Sequence, residues 1–398
     1  MGARSLFVEF AMPFKKLGLS APLCQAIAQR GYTIPTPIQA KAIPIIQQGH
    51  DLIAAAQTGT GKTSSFIWPI IDKLCAGEAG RKKRARALVI APTRELALQV
   101  AESARQDTQF TALKTLAMVG GMDEQAQKQA LIEGVDILVA TPGRLRDLLS
   151  QRAVYLDEVE VLVLDEADRM LDMGFIDAIQ NILDRLPAST QCLLFSATLS
   201  NKVRDLAKAT IGDEGKEISI AARDASKDNI TQWCIPVDKD KKSALLSHLI
   251  KENGWTQALI FIETKHGAAK LATQLEKRGI AAEAFHSGRS QAVRTQLLEN
   301  FKNGDIQFLI ATGVAARGID IESLERVVNY DLPFPADEYV HRIGRTGRAS
   351  AQGEAISLVS KDNTKNLRMI EARLGHPLER RIIEGFEPKK PVPLTAPK

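Results

Sequence analysis

The sequence predicts an α/β chain of two tandem domains, each a mostly parallel sheet flanked by helices, with a cleft between them. Three observations carry that expectation. Short apolar runs rich in β-branched residues alternate with helix-like segments along most of the chain. The alternation breaks at a polar, irregular stretch, Ala221 to Asn229, and each half is large enough to bury its own core. The run Ala56-Gln57-Thr58-Gly59-Thr60-Gly61-Lys62-Thr63 follows a strand candidate and opens a helical segment, which is the setting of a phosphate-binding loop.

In order, residues 1–11 carry no pattern and read as an unstructured N-terminal extension. The first domain, 12–221, holds strand candidates at Leu52–Ala55, Ala87–Ala91, Ile137–Ala140, Val159–Leu164 and Cys192–Phe195. A linker follows at 222–229. The second domain, 230–384, holds Ala258–Ile262, Ala281–Phe285, Gln307–Ala311, Arg326–Tyr330 and Ala355–Val359. Residues 385–398 include the proline- and lysine-rich run Glu387–Pro393 and read as a flexible tail.

Composition narrows the class. A chain of 398 residues exceeds one compact core, and 44% hydrophobic with 25% charged residues is ordinary for a soluble globular protein. No apolar run approaches about 18 residues, and Met1 to Ser5 lack the apolar core of a signal peptide, so the expected location is cytoplasmic, with no membrane. Cys24, Cys75, Cys192 and Cys234 form no CxxC pair and read as reduced, buried thiols. A net charge of +5 and a pI near 8.9 permit nucleic-acid binding without arguing for it.

Chemistry enters with the phosphate loop. Gly59 and Gly61 let successive backbone N–H groups converge where a helix N-terminus adds partial positive charge. Lys62 then reaches the β- and γ-phosphates of ATP, and the Thr63 hydroxyl holds Mg²⁺. Downstream, Val161-Leu162-Val163-Leu164 ends in Asp165-Glu166-Ala167-Asp168, carboxylates at the strand end where ligands of open α/β sheets sit. Asp165 is the expected Mg²⁺ contact, and Glu166 the group that positions or deprotonates the attacking water. In isolation Asp165 or Asp168 reads equally as a helix N-cap.

The second half has no phosphate loop but carries His341-Arg342-Ile343-Gly344-Arg345-Thr346-Gly347-Arg348. On a helix, His341, Arg345 and Arg348 would form one stripe, and Gly344 and Gly347 would let a partner approach closely. An arginine run is ordinarily a solvated face. Here the missing loop favours arginine fingers aimed at the first domain's γ-phosphate, worth about 10³ to 10⁵ in rate.

Together, Ala56–Thr63, Asp165–Asp168, Ser196-Ala197-Thr198 and His341–Arg348 resemble the signature motifs of the DEAD-box RNA helicases, in that family's order, from about Phe14 to Val359. The ending Glu384-Gly385-Phe386-Glu387-Pro388 is similar to the bacterial RhlE-like subgroup. The resemblance implies two RecA-like domains, ATP with Mg²⁺, and a helicase that locally and non-processively unwinds short RNA duplexes or remodels RNA–protein complexes. Phe14, Tyr32 and Gln39 match its adenine-reading motif, and the Gln39 amide supplies the donor and acceptor needed for the N6/N7 edge. Thr58, Gly59, Thr60, Gly61, Lys62 and Thr63 bind the phosphates, while Gly318 and Asp320 match the second domain's share of the ATP site. Asp168, Ser196 and Thr198 match the residues that couple nucleotide to RNA.

For RNA itself the resemblance points to Pro92, Thr93, Arg94, Gly120, Gly121, Thr141, Pro142, Gly143 and Arg144 in the first half. In the second half it points to Thr264, Gly288, Arg289, Gln291, Arg294, Thr312 and Gly313. Hydroxyls, amides and single arginines suit backbone contacts that carry no base sequence. Protein partners in RNA decay or ribosome assembly are also implied. The chain departs from the family at Gly313, where Asp is common. Two other classes stay open: an ATP-gated RNA clamp, and a DNA-directed motor of the same superfamily. The run Arg81-Lys82-Lys83-Arg84-Ala85-Arg86 reads as a solvated loop, and the histidines show no metal-ligand spacing.

Overall fold

The computed structural model describes residues 13–56, 59–78, 81–220, 229–316, 321, 324–347 and 352–392. The N-terminal extension, most of the linker, Thr58, Gly318, Asp320 and Arg348 lie outside the described residues. The chain divides into two units, Met1–Ala222 and Arg223–Lys398.

The first unit is built on seven strands: β1 Leu52–Ala55, β2 Ala87–Ile90, β3 Thr115–Met118, β4 Ile137–Ala140, β5 Val161–Leu164, β6 Gln191–Ser196 and β7 Lys216–Ser219. They lie in the order β3-β4-β2-β5-β6-β1-β7, and every pairing is parallel. Alternate residues of each strand feed opposite faces. Val89, Val139, Val163 and Phe195 pack on one side with Ile67, Ile71 and Val100 from helices Lys62–Ala76 and Arg94–Asp107. Leu88, Leu138, Leu162 and Leu194 pack on the other with Leu145, Ile179 and Val203. Both faces being covered, the central strands are apolar throughout, which is why β2, β4 and β5 stand out in the sequence.

The second unit repeats the plan with β8 Ile230–Pro236, β9 Ala258–Ile262, β10 Ala282–Phe285, β11 Phe308–Thr312, β12 Arg326–Asn329, β13 Gly353–Val359 and β14 Glu379–Arg380. Its order, β10-β11-β9-β12-β13-β8-β14, is the first unit's order strand for strand, again all parallel. β3, β7, β8 and β14 are the strands the sequence reading missed. β3, β7 and β14 are sheet edges, β7 and β14 lack a continuous apolar run, β3 has only a short, half-buried one, and β8 (Ile-Thr-Gln-Trp-Cys-Ile-Pro) carries polar residues near its start.

Two expectations need correction. The tail expected to be flexible from Gly385 is anchored as far as it is described. Phe386 packs on the second core and Val392 is buried, while the Lys389 N–H donates to Asp238 at 3.2 Å. Apolar burial and a satisfied backbone donor outweigh the proline-rich composition there. Cys75, near the end of helix Lys62–Ala76, is exposed, whereas Cys24, Cys192 and Cys234 are buried and burial raises their thiol pKa values. No helix among the described residues is long and apolar enough to cross a membrane.

The repeat exposes one substitution of chemistry. Lys242 opens the helix after β8 as Lys62 opens the helix after β1. Its buried ammonium donates to the Tyr330 carbonyl at 2.7 Å and the Asn363 side chain at 3.3 Å, and sits 3.6 Å from Asp331. Burial lowers its pKa and Asp331 opposes that shift. The second unit thus satisfies its own lysine from within. Lys242→Met should destabilise that unit by about 1–3 kcal/mol. Hydrogen exchange should quicken between β8 and β14 and stay unchanged between β1 and β7, and an unaltered second unit would contradict the assignment.

Candidate active site

In a parallel sheet all strands end at one edge, so the loops that follow them gather there. In the first unit that edge divides by strand order. The loops after β1 and β5 carry Gly59 to Thr63 and Asp165-Glu166, with Ser196 closing β6 between them. The loops after β3, β4 and β2, the contiguous other half, carry Gly120-Gly121, Thr141 to Arg144 and Pro92 to Arg94. The nucleotide candidates and the RNA candidates therefore occupy adjoining halves of one edge, meeting where β2 pairs with β5.

The phosphate loop turns as the glycines suggest. Gly61 caps helix Lys62–Ala76 with φ +88°, a left-handed conformation, and a Cβ built on it would lie 2.5 Å from the Gln39 Nε2. Only glycine fits both conditions. Gln39 is itself buried in a capping box, its Oε1 accepting from the Thr36 N–H at 2.9 Å and its Nε2 donating to the Gly61 carbonyl at 3.4 Å. The residue expected to read adenine is thereby tied to the backbone of the phosphate loop. An amide has two N–H groups and two lone pairs, so capacity for a base edge remains.

Lys62 is 6% and Asp165 2% exposed, and among the described residues neither the Lys62 Nζ nor the Asp165 Oδ1 has a hydrogen-bond partner. Burial pushes the Asp165 carboxyl up to about 6, against the pull of Lys62 and with the push of Glu166. Glu166 follows in the left-handed region at φ 54°, opens helix Ala167–Asp172, and pairs with Arg169 at 3.2 Å. Asp168 accepts from both the Thr198 N–H and Thr198 Oγ1 at 3.1 Å, while Ser196 Oγ donates to the Thr198 carbonyl at 2.7 Å. The three residues assigned to coupling thus form one hydrogen-bonded cluster at the ends of β5 and β6.

Phe14 and Tyr32 flank Trp68 edge-on, with ring centroids 5.3 and 5.6 Å away. Trp68 Nε1 donates to the buried Asp107, which Arg30 also meets at 2.6 Å. The sequence reading did not single out Trp68 or Arg30; a tryptophan inside a helical stripe reads as ordinary core, and here it is the support on which Tyr32 rests.

Among the RNA candidates of the first unit, Thr93 caps helix Arg94–Asp107 by accepting from the Leu96 N–H, and Arg94 lies against Gly120. Arg144 is not a bare cation. It donates to Glu124 at 2.8 Å and Asp147 at 3.0 Å, and hydrogen bonds from Lys128 and Arg144 hold Glu124 down at about 2. In the second unit the candidates follow β9, β10 and β11, the same contiguous half of the edge. Thr264 caps its helix, Arg289 is exposed, Gln291 is buried at its helix start, and Arg294 is buried over the Phe285 ring at 5.1 Å. Gly288 donates its N–H to His286 Nδ1 at 3.1 Å.

His341 and Arg345 do not share one helical stripe, and Arg348 lies outside the described residues. The helix Ala336–Ile343 stops at Gly344, Arg345 falls buried in the turn beyond, and Thr346 bridges to Leu324. Gly347 adopts φ +68° and is approached by Ile230 and Asn229 of the same chain, so the room that glycine leaves is taken internally. The basic run near Arg84 is a loop with Arg81 and Lys82 exposed, as expected of a solvated stretch, but its arginines are also paired: Arg81 with Glu158, Arg84 with Asp157 at 3.0 Å and the buried Arg86 with Glu160 at 2.8 Å. No group of metal-ligating side chains of the His/Cys/Asp/Glu type gathers among the described residues.

Comparisons agree with this geometry. The DEAD/DEAH box helicase family matches residues 36–206, and the helicase conserved C-terminal domain matches residues 240–350. The DEAD-box ATP-dependent RNA helicase CshA of Geobacillus kaustophilus is 41% identical over 367 residues, covering 92% of this chain and 78% of that protein. The ATP-dependent RNA helicase RhlB of Pseudomonas syringae is 42% identical over 368 residues, covering 91% and 92%. Among solved structures, S. cerevisiae Dbp5 bound to RNA and ADP BeF3 aligns with a TM-score of 0.83 at 32% identity over 93% of this chain and 95% of that one. Mss116 bound to ssRNA and UDP-BeF aligns at 0.82 with 30% identity, over 92% and 78%.

Gly61→Ala should cost about 1–2 kcal/mol of first-unit stability from the forced left-handed backbone alone, with a further loss from the collision with Gln39. Gln39→Ala in the same chain should recover only the collision. Urea unfolding of the four proteins checks this, and a neutral Gly61→Ala would mean the turn is not held by that clash.

Proposed function

We infer how this chain works from its membership of the DEAD-box ATP-dependent RNA helicases, a family of ATPases stimulated by RNA. ATP is taken by the loop Gly59 to Thr63. The observation that carries this reading is the pair of buried, unlike charges, Lys62 Nζ and Asp165 Oδ1, which no described residue hydrogen-bonds, beside a left-handed glycine turn. Such burial costs several kcal/mol per ion unless a partner compensates it, and a triphosphate with its cation supplies both signs. Asp165 and Thr63 fit Mg²⁺, a hard cation that takes oxygen ligands. Held there, that ion would supply positive charge against the phosphates. Lys62 holds the phosphates, Glu166 positions or deprotonates the attacking water, and Gln39 reads adenine from the loop it braces.

RNA lies along the loops after β2, β3 and β4 and after β9, β10 and β11, through hydroxyls, backbone amides and Arg94 and Arg289. The engaged Arg144 and the buried Arg294 serve as supports of those loops. His341, Arg345 and Arg348 supply the second unit's contribution to hydrolysis, with Gly318 and Asp320 toward the nucleotide. RNA and ATP together favour the reactive arrangement, and Asp168, Ser196 and Thr198, which tie the ends of β5 and β6 together, couple the nucleotide to RNA. Unwinding is local and non-processive, and the Glu384 to Pro388 ending favours the RhlE-like subgroup.

Steady-state ATPase measured with RNA and DNA of one sequence, beside unwinding of a short RNA duplex with and without hydrolysable ATP, tests the whole reading. Equal stimulation by DNA would point to a DNA-directed motor, and hydrolysis without strand release to a clamp. Glu166→Gln should keep nucleotide binding and lower turnover about 10²- to 10⁴-fold; undiminished turnover would remove it from the water-activating role. Arg345→Ala should leave ATP affinity largely intact and lower RNA-stimulated hydrolysis by about 10³-fold or more, and a pure affinity defect would contradict the finger assignment.

A further inference from the structure

Helix Ala21–Gln29 closes at Arg30, Gly31 takes φ +77°, and the Tyr32 N–H returns to the Ile27 carbonyl at 3.3 Å. The left-handed glycine reverses the backbone. Across that reversal Arg30 and Tyr32 meet one group of side chains, centred on Asp107.

Asp107 is the last residue of helix Arg94–Asp107 and is buried. Both settings disfavour a negative charge, because the helix dipole ends negative there and burial strips water from the carboxylate. Burial raises its pKa, and the charge and hydrogen bond of Arg30, with the hydrogen bond of Trp68, oppose the rise. A helix end packed on a core needs no carboxylate at such a point. Its two oxygens are both taken: Arg30 Nη1 donates to Oδ1 at 2.6 Å and Trp68 Nε1 to Oδ2 at 3.0 Å. Arg30 Nη1 also donates to Ser103 Oγ at 3.2 Å. The other guanidinium nitrogen, Nη2, meets the Tyr32 hydroxyl at 3.5 Å, and the guanidinium carbon lies 5.3 Å from the Tyr32 ring centre. Tyr32 is thus held by Arg30 and, edge-on, by Trp68, both fastened to one carboxylate, and it is only half-buried.

We propose that Arg30 and Asp107 are positioning residues for ATP: the buried pair fixes the angle of the Tyr32 ring and with it the affinity for the adenine base. This role rests on the reading of Tyr32 as an adenine contact. A plain structural tie between the two helices would hold the fold equally well but would not distinguish a nucleotide from its bare phosphates.

The test uses the full chain with saturating single-stranded oligo(U). KM and kcat for ATP, the inhibition constant of inorganic tripolyphosphate and the thermal midpoint are measured for the unaltered protein and its variants. Arg30→Ala should raise KM for ATP about five- to tenfold, the scale of one cation–ring contact, and change kcat by less than about twofold. Tripolyphosphate has no base, and its inhibition constant should not move. Asp107→Asn, which keeps the shape and drops the charge, should raise KM in the same direction. Arg30→Lys should recover the thermal midpoint by keeping a cation beside Asp107, yet leave KM raised because the planar fork is lost. In a Tyr32→Ala background, Arg30→Ala should add less than about twofold to KM. An unchanged KM in Arg30→Ala, an equal weakening of tripolyphosphate, additive effects with Tyr32→Ala, or Arg30→Lys restoring KM together with the thermal midpoint would each overturn the positioning role. A Tyr32→Ala protein with unchanged KM would instead remove Tyr32 from the adenine site, and the role of Arg30 and Asp107 with it.

Discussion

A buried ammonium, Lys62 Nζ, and a buried carboxylate oxygen, Asp165 Oδ1, that no described residue hydrogen-bonds set the terms for the first unit. Left alone, two such charges are an unfavourable choice for a protein interior. Their placement follows from topology. β1 and β5 flank β6 in a sheet whose strands all run one way, so the loop after β1 and the acid after β5 must arrive at the same edge. Gly61 supplies the reversal that brings Lys62 back beneath the loop, and Gln39 fixes that reversal from the side. Hydrolysis of ATP by this helicase family is an outcome of those constraints before any side chain acts on water.

The same topology separates the two ligand classes without isolating them. Nucleotide candidates sit after β1 and β5, RNA candidates after β2, β3 and β4, and the boundary is a pair of neighbouring strands. The cluster of Asp168, Ser196 and Thr198 lies on the nucleotide side and binds the ends of β5 and β6 together. Thr198 is thus tied to Asp168, two residues beyond Glu166, by two hydrogen bonds of 3.1 Å to a carboxylate rather than by loose surface contacts.

Much of this was legible in the residues. Strands buried on both faces, such as Val161–Leu164 and Ala258–Ile262, announce themselves as unbroken apolar runs, and the glycine turn and the Asp165–Asp168 acids announce their chemistry. What escaped had weaker or competing signals. Edge strands such as β7 are largely exposed and need no apolar pattern. The helix over His341 to Arg348 followed its basic periodicity on paper, but Gly344 ends it and Gly347 turns the chain, a tertiary demand of Ile230 and Asn229 that periodicity does not register. Charge was the least legible quantity: Arg144 and the Arg81–Arg86 run look available in sequence and are engaged by carboxylates distant in sequence.

The lysine that the second unit satisfies internally has a thermodynamic corollary. One copy of the repeat carries its occupant in its own chain, as the Lys242 contacts with Tyr330, Asn363 and Asp331, while the other awaits a visitor. By mass action, a visitor at a hundred times its dissociation constant adds about 2.7 kcal/mol to whatever it binds. The first unit's resistance to heat and proteases should thus rise and fall with the cell's ATP supply.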